Sequence, residues 1–162
     1  MNYYLLLGSN LGERMQMLSD AEELIEQKIG EVQLRSSVYE TSPWGNVDQS
    51  SFLNMALLVS SSLQPDEVVS LTQNIELDLG KNTIEKWGPR TIDIDIIYID
   101  DQIINSGSLV VPHPRMYDRN FTLIPLMEIA GDFIDPIKSM SVEDLYDICE
   151  DETEVVLYGE EE

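Results

Sequence analysis

The order of two hydrophobic periodicities along residues 3–99 restricts the fold of this chain more than any other feature. Short apolar runs of strand type occur at residues 3–7, 32–39, 52–59 and 92–99. Helical spacing of apolar residues follows the first and third runs, and Gly30 and Gly80 are expected to end these helices. The order β-α-β-β-α-β predicts a ferredoxin-like α+β fold with a mainly antiparallel sheet. Helical patterns near 121–130 and 141–149 are expected to cover the other face of the sheet.

Each predicted element has a face that we expect to be buried. The first helix is expected to begin with a cap at Ser9 or Asn10 and to bury a stripe that includes Leu11 and Met15. The second helix is expected to start at Pro65, which the first turn of a helix tolerates. The buried strand faces are predicted to be formed by alternating residues: Val32, Leu34 and Val38; Leu53, Met55, Leu57 and Val59; Ile92, Ile94, Ile96 and Tyr98.

Length and charge restrict the domain organisation and the partners. The 162 residues fit one domain over 1–150, followed by an acidic tail or edge strand at 151–162. A net charge of −22 disfavours nucleic acid and anionic membranes as partners, because both carry negative phosphates. The single cysteine, Cys149, excludes an intrachain disulfide. No apolar run reaches the ~18–20 residues of a membrane-spanning helix, and the N-terminus lacks the pattern of a signal peptide. We therefore expect a soluble, cytoplasmic, single-domain protein.

Two carboxylates, Asp93 and Asp95, stand two residues apart in the fourth predicted strand. Residues with this spacing share a face and lie ~6.5 Å apart along a strand. Such a pair can bind a hard divalent ion such as Mg²⁺ together with the phosphates of a substrate. The alternative is a half-exposed strand whose aspartates are simply solvated.

The segment Trp87-Gly88-Pro89-Arg90-Thr91 directly precedes the two aspartates. A guanidinium group binds phosphate well, because its planar fork donates two parallel hydrogen bonds. Arg90 is therefore a candidate phosphate ligand beside the carboxylates. The alternative is that Trp87 closes the core and Arg90 forms an ion pair with Asp93 or Asp95.

Two aromatic residues and an amide suggest a site for a flat ring. Phe52 and Asn54 share the strand face opposite to Leu53, where a ring can stack on Phe52 and an amide-like edge can pair with Asn54. Phe121 is a second candidate for the stack. The alternative for Phe52 is a place in a second layer of the core.

The only histidine, His113, lies between Pro112 and Pro114, which fix the backbone and exclude a helix there. With Arg115 and Arg119 nearby, this segment is suited to an anion. The alternative is an ordinary surface histidine. The lack of further His or Cys at ligand spacing disfavours zinc.

In combination, these residues resemble the 6-hydroxymethyl-7,8-dihydropterin pyrophosphokinase family of folate synthesis. The resemblance covers about residues 3–135 and is most specific from Trp87 to Asp95. Its other segments are Gly8 to Gly12, Thr41 to Gly45, Phe52 to Asn54, and Val111 to Arg115 with Arg119 and Phe121.

The resemblance implies that a pterin hydroxyl attacks the β-phosphorus of ATP and that AMP leaves. Two Mg²⁺ ions would be bound by Asp93 and Asp95. The implied catalytic residues are Arg90, Asp93, Asp95 and Lys81. The implied ATP-binding residues are Gln73, Glu76, Trp87, Arg90, His113 and Arg119. The implied pterin-binding residues are Thr41, Ser42, Trp44, Phe52, Asn54 and Phe121.

Two of these assignments carry their own physical expectations. Gln73 and Glu76 are three residues apart on the second helix, and we expect their shared face to point away from the buried stripe toward the nucleotide. Lys81 stands where the family usually has an arginine, so this position retains its charge but loses the planar fork. Phosphoryl-type transfer depends mostly on positioning and charge stabilisation, so no dedicated general base is assigned.

Three other functions are compatible with the same fold. A ferredoxin-like regulatory domain would bind a small ligand without turnover, and it would leave Asp93, Asp95 and Arg90 unexplained. An RNA-binding module would also place aromatic residues on the sheet, but the charge of −22 disfavours it. A family member that has lost its activity is disfavoured by the intact candidate site.

Overall fold

The computed structural model describes residues 1–41, 51–80 and 92–159. The strands are β1 (Asn2–Ser9), β2 (Glu31–Arg35), β3 (Tyr39–Thr41), β4 (Phe52–Ser60), β5 (Asp93–Ile99), β6 (Ile104–Ser106), β7 (Leu109–Val111) and β8 (Val155–Leu157). The α-helices are α1 (Arg14–Lys28), α2 (Pro65–Asp78), α3 (Asn120–Ala130) and α4 (Val142–Ile148). A 3-10 turn at Met116–Asp118 precedes α3.

The main sheet has the strand order β5-β1-β4-β3-β8, and β2 also pairs with β4. Every pairing between these strands is antiparallel. Through β5, the succession of strands and helices is that of the predicted ferredoxin-like α+β fold, which is confirmed. Strands β6 and β7 form a separate hairpin, which the sequence patterns did not predict.

Helices cover both faces of the sheet. On the first face α1 and α2 pack through Leu18, Ile25, Val68 and Ile75. On the second face α3 and α4 pack through residues that include Leu123, Leu126, Val142 and Leu145. The expectation that the C-terminal helices cover the other face is therefore confirmed. No helix in the described part of the chain is long and apolar enough to cross a membrane.

Helix α1 begins later than predicted. Its N-cap is Glu13, which makes no side-chain capping bond, so the cap expected at Ser9 or Asn10 is wrong. Leu11 and Met15 are 45% and 43% exposed, although we expected both in the buried stripe. The physical reason is Gly12, whose φ of +73° places a turn between β1 and the helix.

The strand predicted over residues 32–39 is divided into β2 and β3. Ser36 lies at the break, where its N–H donates to the Ala56 carbonyl and its Oγ accepts from the Ala56 N–H. The register against β4 also shifts between Val32 and Leu34. Leu34 is consequently 47% exposed, and the prediction that it shares a buried face with Val32 is wrong.

An irregularity in β5 moves Tyr98 to the second face. Tyr4 lies opposite Tyr98, but Leu5 lies opposite Ile96, so Ile97 is an extra residue in the strand. Tyr98 therefore packs with Tyr4 in the second core, and the prediction that it shares a face with Ile96 is wrong. Ile92, Ile94 and Ile96 lie in the first core as predicted.

The C-terminal residues include a strand of the main sheet. Strand β8 pairs with β3, with Val155 opposite Thr41 and Leu157 opposite Tyr39. Of the two alternatives for residues 151–162, the edge strand is the one found, over Val155–Leu157. Residues 160–162 lie outside the described part of the chain.

Candidate active site

Asp93 and Asp95 lie on the second face of the sheet, near the start of β5. Asp93 is opposite Gly8 and Asp95 is opposite Leu6, a residue of the second core. Both aspartates are half-buried. Their two-residue spacing places them on one face, as predicted, while Ile94 between them packs into the first core. The two carboxylates therefore lie beside each other at the rim of a packed layer.

Glu76 does not lie on an exposed helix face. Its side chain is 8% exposed, and Oε2 accepts a hydrogen bond of 2.7 Å from the backbone N–H of Ile94. The expectation that it points away from the buried side of α2 is therefore wrong. The reason is that α2 packs against β5 and brings this carboxylate to the outer edge of the strand. Gln73, three residues earlier, is exposed as expected.

The backbone of His113 is hydrogen-bonded to β5 at Ile97, the extra residue of that strand. Its backbone N–H donates to the Ile97 carbonyl at 3.0 Å, and its Nδ1 accepts from the Arg115 N–H at 3.2 Å. Burial lowers the pKa of His113 to about 4, and the charges of Arg119 and Arg115 contribute to this decrease. The imidazole is therefore neutral near neutral pH. Since Nδ1 is the acceptor, Nε2 carries the proton and can donate a hydrogen bond.

Arg119 connects the carboxylates to the aromatic part of the site. Its Cζ lies 5.2 Å from the centre of the Phe121 ring. Burial and the charge of Arg115 lower the pKa of Arg119, whereas Asp95 and Asp118 raise it. An arginine remains protonated under these conditions, because its ordinary pKa is above 12. The Arg119 guanidinium therefore lies over a ring that packs at the edge of the second core, and it interacts electrostatically with Asp95.

Among the described residues, two buried polar atoms of β3 and β4 lack hydrogen-bond partners. Asn54 donates from Nδ2 to the Leu7 carbonyl at 3.2 Å, but its Oδ1 has no hydrogen-bond partner within the described residues. The same holds for Oγ1 of Thr41 on the neighbouring strand. Both side chains are on the second face, where Thr41 is opposite Phe52 and Asn54 is opposite Tyr39. Buried acceptors without partners are costly, so they indicate a place for a ligand's hydrogen-bond donors.

Gly8 makes room for the Asn54 amide. A Cβ atom at this position would lie 2.7 Å from Nδ2 of Asn54, closer than real contacts allow. Gly8 is directly between Asn54 on β4 and Asp93 on β5. In the sequence, Gly8 is notable only as the first residue of a segment that resembles the family. A glycine inside a strand often marks such a close approach, and this was the available signal.

The predicted site residues thus fall into three groups. The structure places on one face of the sheet, or in the segments that pack against it, Thr41, Phe52, Asn54, Asp93, Asp95, His113, Arg119 and Phe121. Gln73 and Glu76 are on α2, on the other side of the sheet. Ser42, Trp44, Lys81, Trp87 and Arg90 lie outside the described residues.

Within the described ranges, the side chains available to bind a metal are few. Within residues 1–41, 51–80 and 92–159 no group of three or more His, Cys, Asp or Glu side chains is placed to hold a metal ion. Asp93 and Asp95 offer two carboxylates on one face. Mg²⁺ usually binds one or two carboxylates plus water and substrate phosphates, so this pair fits Mg²⁺ as a ligand of a phosphate substrate.

Solved structures share this architecture. A Plasmodium falciparum HPPK-DHPS triple mutant superposes with a TM-score of 0.75 at 16% identity, over 90% of this chain and 42% of that one. An HPPK-DHPS complex with substrates gives a TM-score of 0.73 at 13% identity, again over 90% and 42%. The chain therefore spans less than half of these larger proteins. The likeness to these structures defines the class of fold, a ferredoxin-like α+β domain.

Sequence comparison gives the family. The model of 7,8-dihydro-6-hydroxymethylpterin-pyrophosphokinase matches residues 4–131. A Bacillus subtilis 2-amino-4-hydroxy-6-hydroxymethyldihydropteridine pyrophosphokinase is 47% identical over 128 residues, which are 78% of this chain and 77% of the relative. The Aquifex aeolicus protein of the same name is 41% identical over 83% of each chain. The chain belongs to this pyrophosphokinase family, whose reaction transfers a pyrophosphoryl group to hydroxymethyldihydropterin in folate biosynthesis.

Proposed function

We propose that the pyrophosphoryl donor is ATP, and that Asp93 and Asp95 bind it through Mg²⁺, with two ions expected. The observation that carries this proposal is the pair of half-buried carboxylates on one face, with Arg119 in electrostatic interaction with Asp95. Mg²⁺ bound there would neutralise charge on the phosphate oxygens. The pterin hydroxyl oxygen forms a bond to the β-phosphorus as the bond from that phosphorus to the bridging oxygen breaks. AMP leaves with the bridging oxygen, and the hydroxyl proton passes to solvent.

The unpartnered atoms support a pterin site beside these carboxylates. Oδ1 of Asn54 and Oγ1 of Thr41 can accept hydrogen bonds from the N–H groups along the edge of a pterin. Phe52 is opposite Thr41 on β4, and Phe121 lies at the start of α3. We assign these two rings to the faces of the pterin, because flat rings stack favourably on aromatic side chains. The hydroxymethyl group would then be directed toward Asp93 and Asp95.

His113 and Arg119 support the binding of the triphosphate. The Nε2–H group of a neutral imidazole donates a hydrogen bond without adding charge, whereas Arg119 supplies a permanent positive charge. Gln73 is assigned to the nucleotide on the resemblance alone. Glu76 is assigned instead to positioning β5, because its carboxylate accepts from Ile94.

The residues outside the described ranges complete the proposal on the resemblance alone. Lys81, Trp87 and Arg90 are assigned to catalysis and ATP binding. Ser42 and Trp44 are assigned to the pterin.

The partners and the location are also proposals, and the net charge of the chain supports the expected partners. We expect a cytoplasmic monomer without nucleic-acid or membrane partners, because a net charge of −22 opposes association with polyanions and with further copies. Light scattering coupled to gel filtration tests the monomer. Binding to DNA and to anionic vesicles is expected to be absent, and a basic protein of similar size serves as the positive control for both assays.

The decisive experiment measures AMP release from ATP with hydroxymethyldihydropterin as Mg²⁺ is varied. Asp95→Ala is expected to lower kcat/KM at least about 100-fold, since it removes a ligand of the reacting phosphates. Asp101→Ala is the matched control, because it removes the same charge at an exposed turn six residues away. Equal activity of the two variants would overturn the metal assignment. ATP binding without AMP release in the unmodified protein would instead favour a ligand-sensing domain.

A further inference from the structure

Asp151 binds the first residue of α3. Its Oδ2 accepts a hydrogen bond of 2.9 Å from the Asn120 N–H, and its backbone carbonyl accepts one of 2.6 Å from Asn120 Nδ2. Asn120 stands between Arg119 and Phe121, which are assigned to the phosphates and to the pterin ring. A double contact therefore fixes the residue that joins two substrate-binding side chains.

This contact replaces a missing cap. The N-cap residue of α3 is Arg119, which makes no side-chain capping bond. The first N–H groups of a helix lack partners inside the helix, and a nearby negative charge favours that end of the helix dipole. The Asp151 carboxylate supplies both an acceptor and the charge from outside the helix. Asp151 is itself held by Thr153, whose N–H and Oγ1 donate to its Oδ1 at 3.0 and 2.7 Å.

The same segment also holds β3. A few residues after Asp151, strand β8 pairs with β3 and places Val155 opposite Thr41. The Tyr158 N–H then donates to the Val38 carbonyl at 2.9 Å, which extends the pairing to the start of β3. Thr41 carries one of the two unpartnered atoms assigned to the pterin edge. Residues 151–157 therefore connect both sides of the pterin site: the end of β3 and the start of α3.

We propose that this C-terminal segment, residues 151–157, positions the substrate-binding residues, and that Asp151 is its central positioning residue. The inference rests on the proposed assignment of Thr41, Arg119 and Phe121 to the substrates. It gives the C-terminal residues a role beyond an acidic, solubilising tail. Asp151 touches no substrate in this scheme and acts through Asn120.

Asp151→Ala tests the proposal by steady-state kinetics and by binding of an ATP analogue. We expect KM for the pterin to rise and kcat/KM to fall between about tenfold and about 100-fold, as small displacements of positioned groups do. The affinity for the nucleotide should change less, because Arg119 adjoins Asn120 but the other groups assigned to the triphosphate, on Asp93, Asp95 and His113, are held by β5. A purely structural defect would lower the active fraction, and thus kcat, without a change in KM for the pterin.

Glu152→Ala is the matched control. It removes the same charge from the adjacent, exposed residue and should leave both KM values unchanged. If Asp151→Ala fails to fold, Asp151→Asn provides the test, since it keeps an acceptor oxygen but loses the charge and should show a smaller rise in KM. Kinetics of the Asp151 variants equal to those of Glu152→Ala would overturn the inference. Absence of AMP release in the unmodified protein would overturn the proposed function instead.

Discussion

The Glu76 carboxylate accepts a hydrogen bond of 2.7 Å from the backbone N–H of Ile94, the residue between Asp93 and Asp95. Strand β5 is the last strand on its side of the main sheet. Such a strand has outward N–H groups without a partner in the ladder. Glu76 satisfies one of them from α2, and in doing so it fixes the backbone that carries both aspartates.

Glu76→Ala is expected to destabilise the protein by about 1–3 kcal/mol, because the buried Ile94 N–H loses its acceptor. Glu76→Gln retains a carbonyl acceptor and should cost about 1 kcal/mol or less. Urea unfolding measures both changes, and AMP release at saturating pterin shows whether Asp93 and Asp95 remain in place. We expect lower kcat/KM for ATP in the alanine variant than in the glutamine variant.

Asn74→Ala is the control on the same helix, since Asn74 is exposed. It should change neither stability nor kinetics by a measurable amount. If Glu76 bound the nucleotide directly, the glutamine variant would remain stable but would bind ATP as poorly as the alanine variant.

Gly8→Ala is expected to weaken pterin binding and to leave nucleotide binding unchanged. The added Cβ would lie 2.7 Å from Nδ2 of Asn54 and must displace this amide. We expect KM for the pterin to rise about tenfold, since the assigned hydrogen bond is weakened by roughly 1.4 kcal/mol. Gly107→Ala is the control, because a Cβ atom added to Gly107 would have no other atom within 4 Å among the described residues. Equal KM values in the two variants would contradict the assignment of Asn54.

His113 is expected to make the folded state less stable as the pH falls. Its pKa is lowered to about 4 by burial and by Arg119 and Arg115, against an ordinary value of 6.5. Between these values the unfolded chain binds a proton that the folded chain does not, so stability decreases as the pH drops through this window. His113→Gln should remove this contribution, by about 1 kcal/mol at about pH 5. Urea unfolding at about pH 7 and about pH 5 measures it. A stability difference between variant and parent that is the same at both values would contradict the buried neutral imidazole.

A buried carboxylate anchors the turn before α3. Asp135 is fully buried, and its Oδ2 accepts hydrogen bonds from the hydroxyls of Tyr98 and Tyr117 at 2.6 and 2.8 Å. Tyr117→Phe is therefore expected to cost about 1–2 kcal/mol in urea unfolding, as one bond to a charged acceptor is lost. Tyr146→Phe is the comparison, since Tyr146 packs against the same core as Tyr117, whereas the described hydroxyls that donate to Asp135 are those of Tyr98 and Tyr117. Equal losses would show that the contact to Asp135 contributes nothing to stability.

Local patterns were sufficient for the main elements of the fold. The alternation in β4 places Leu53 and Leu57 in the first core, as predicted. Helix α2 starts at Pro65 and is followed by Gly80, which has a φ of +94°. Both residues were predicted to mark the ends of this helix. These features depend on residues close together in the chain, and such information is directly readable from sequence.

Two of the features that were predicted wrongly depend on distant contacts. Tyr98 changes face because β5 contains an extra residue, whose carbonyl accepts from His113. Glu76 is buried because α2 packs against the edge of the sheet. The spacing of apolar residues along the helix does not reveal this contact. For the candidate site, the shared face of Asp93 and Asp95 followed from their spacing, whereas the role of Asp151 required the fold.

The extra residue in β5 reverses the alternation of faces along the strand, so the residues before and after it follow opposite patterns. Before Ile97, odd-numbered residues such as Asp95 face the second core, whereas after it the even-numbered Tyr98 does so. If the Asp-Ile-Asp segment were moved into a regular strand, every residue after it would therefore lie on the opposite face of the sheet from the one it has here. Grafting this site onto another scaffold requires the insertion at position 97 as much as it requires the carboxylates.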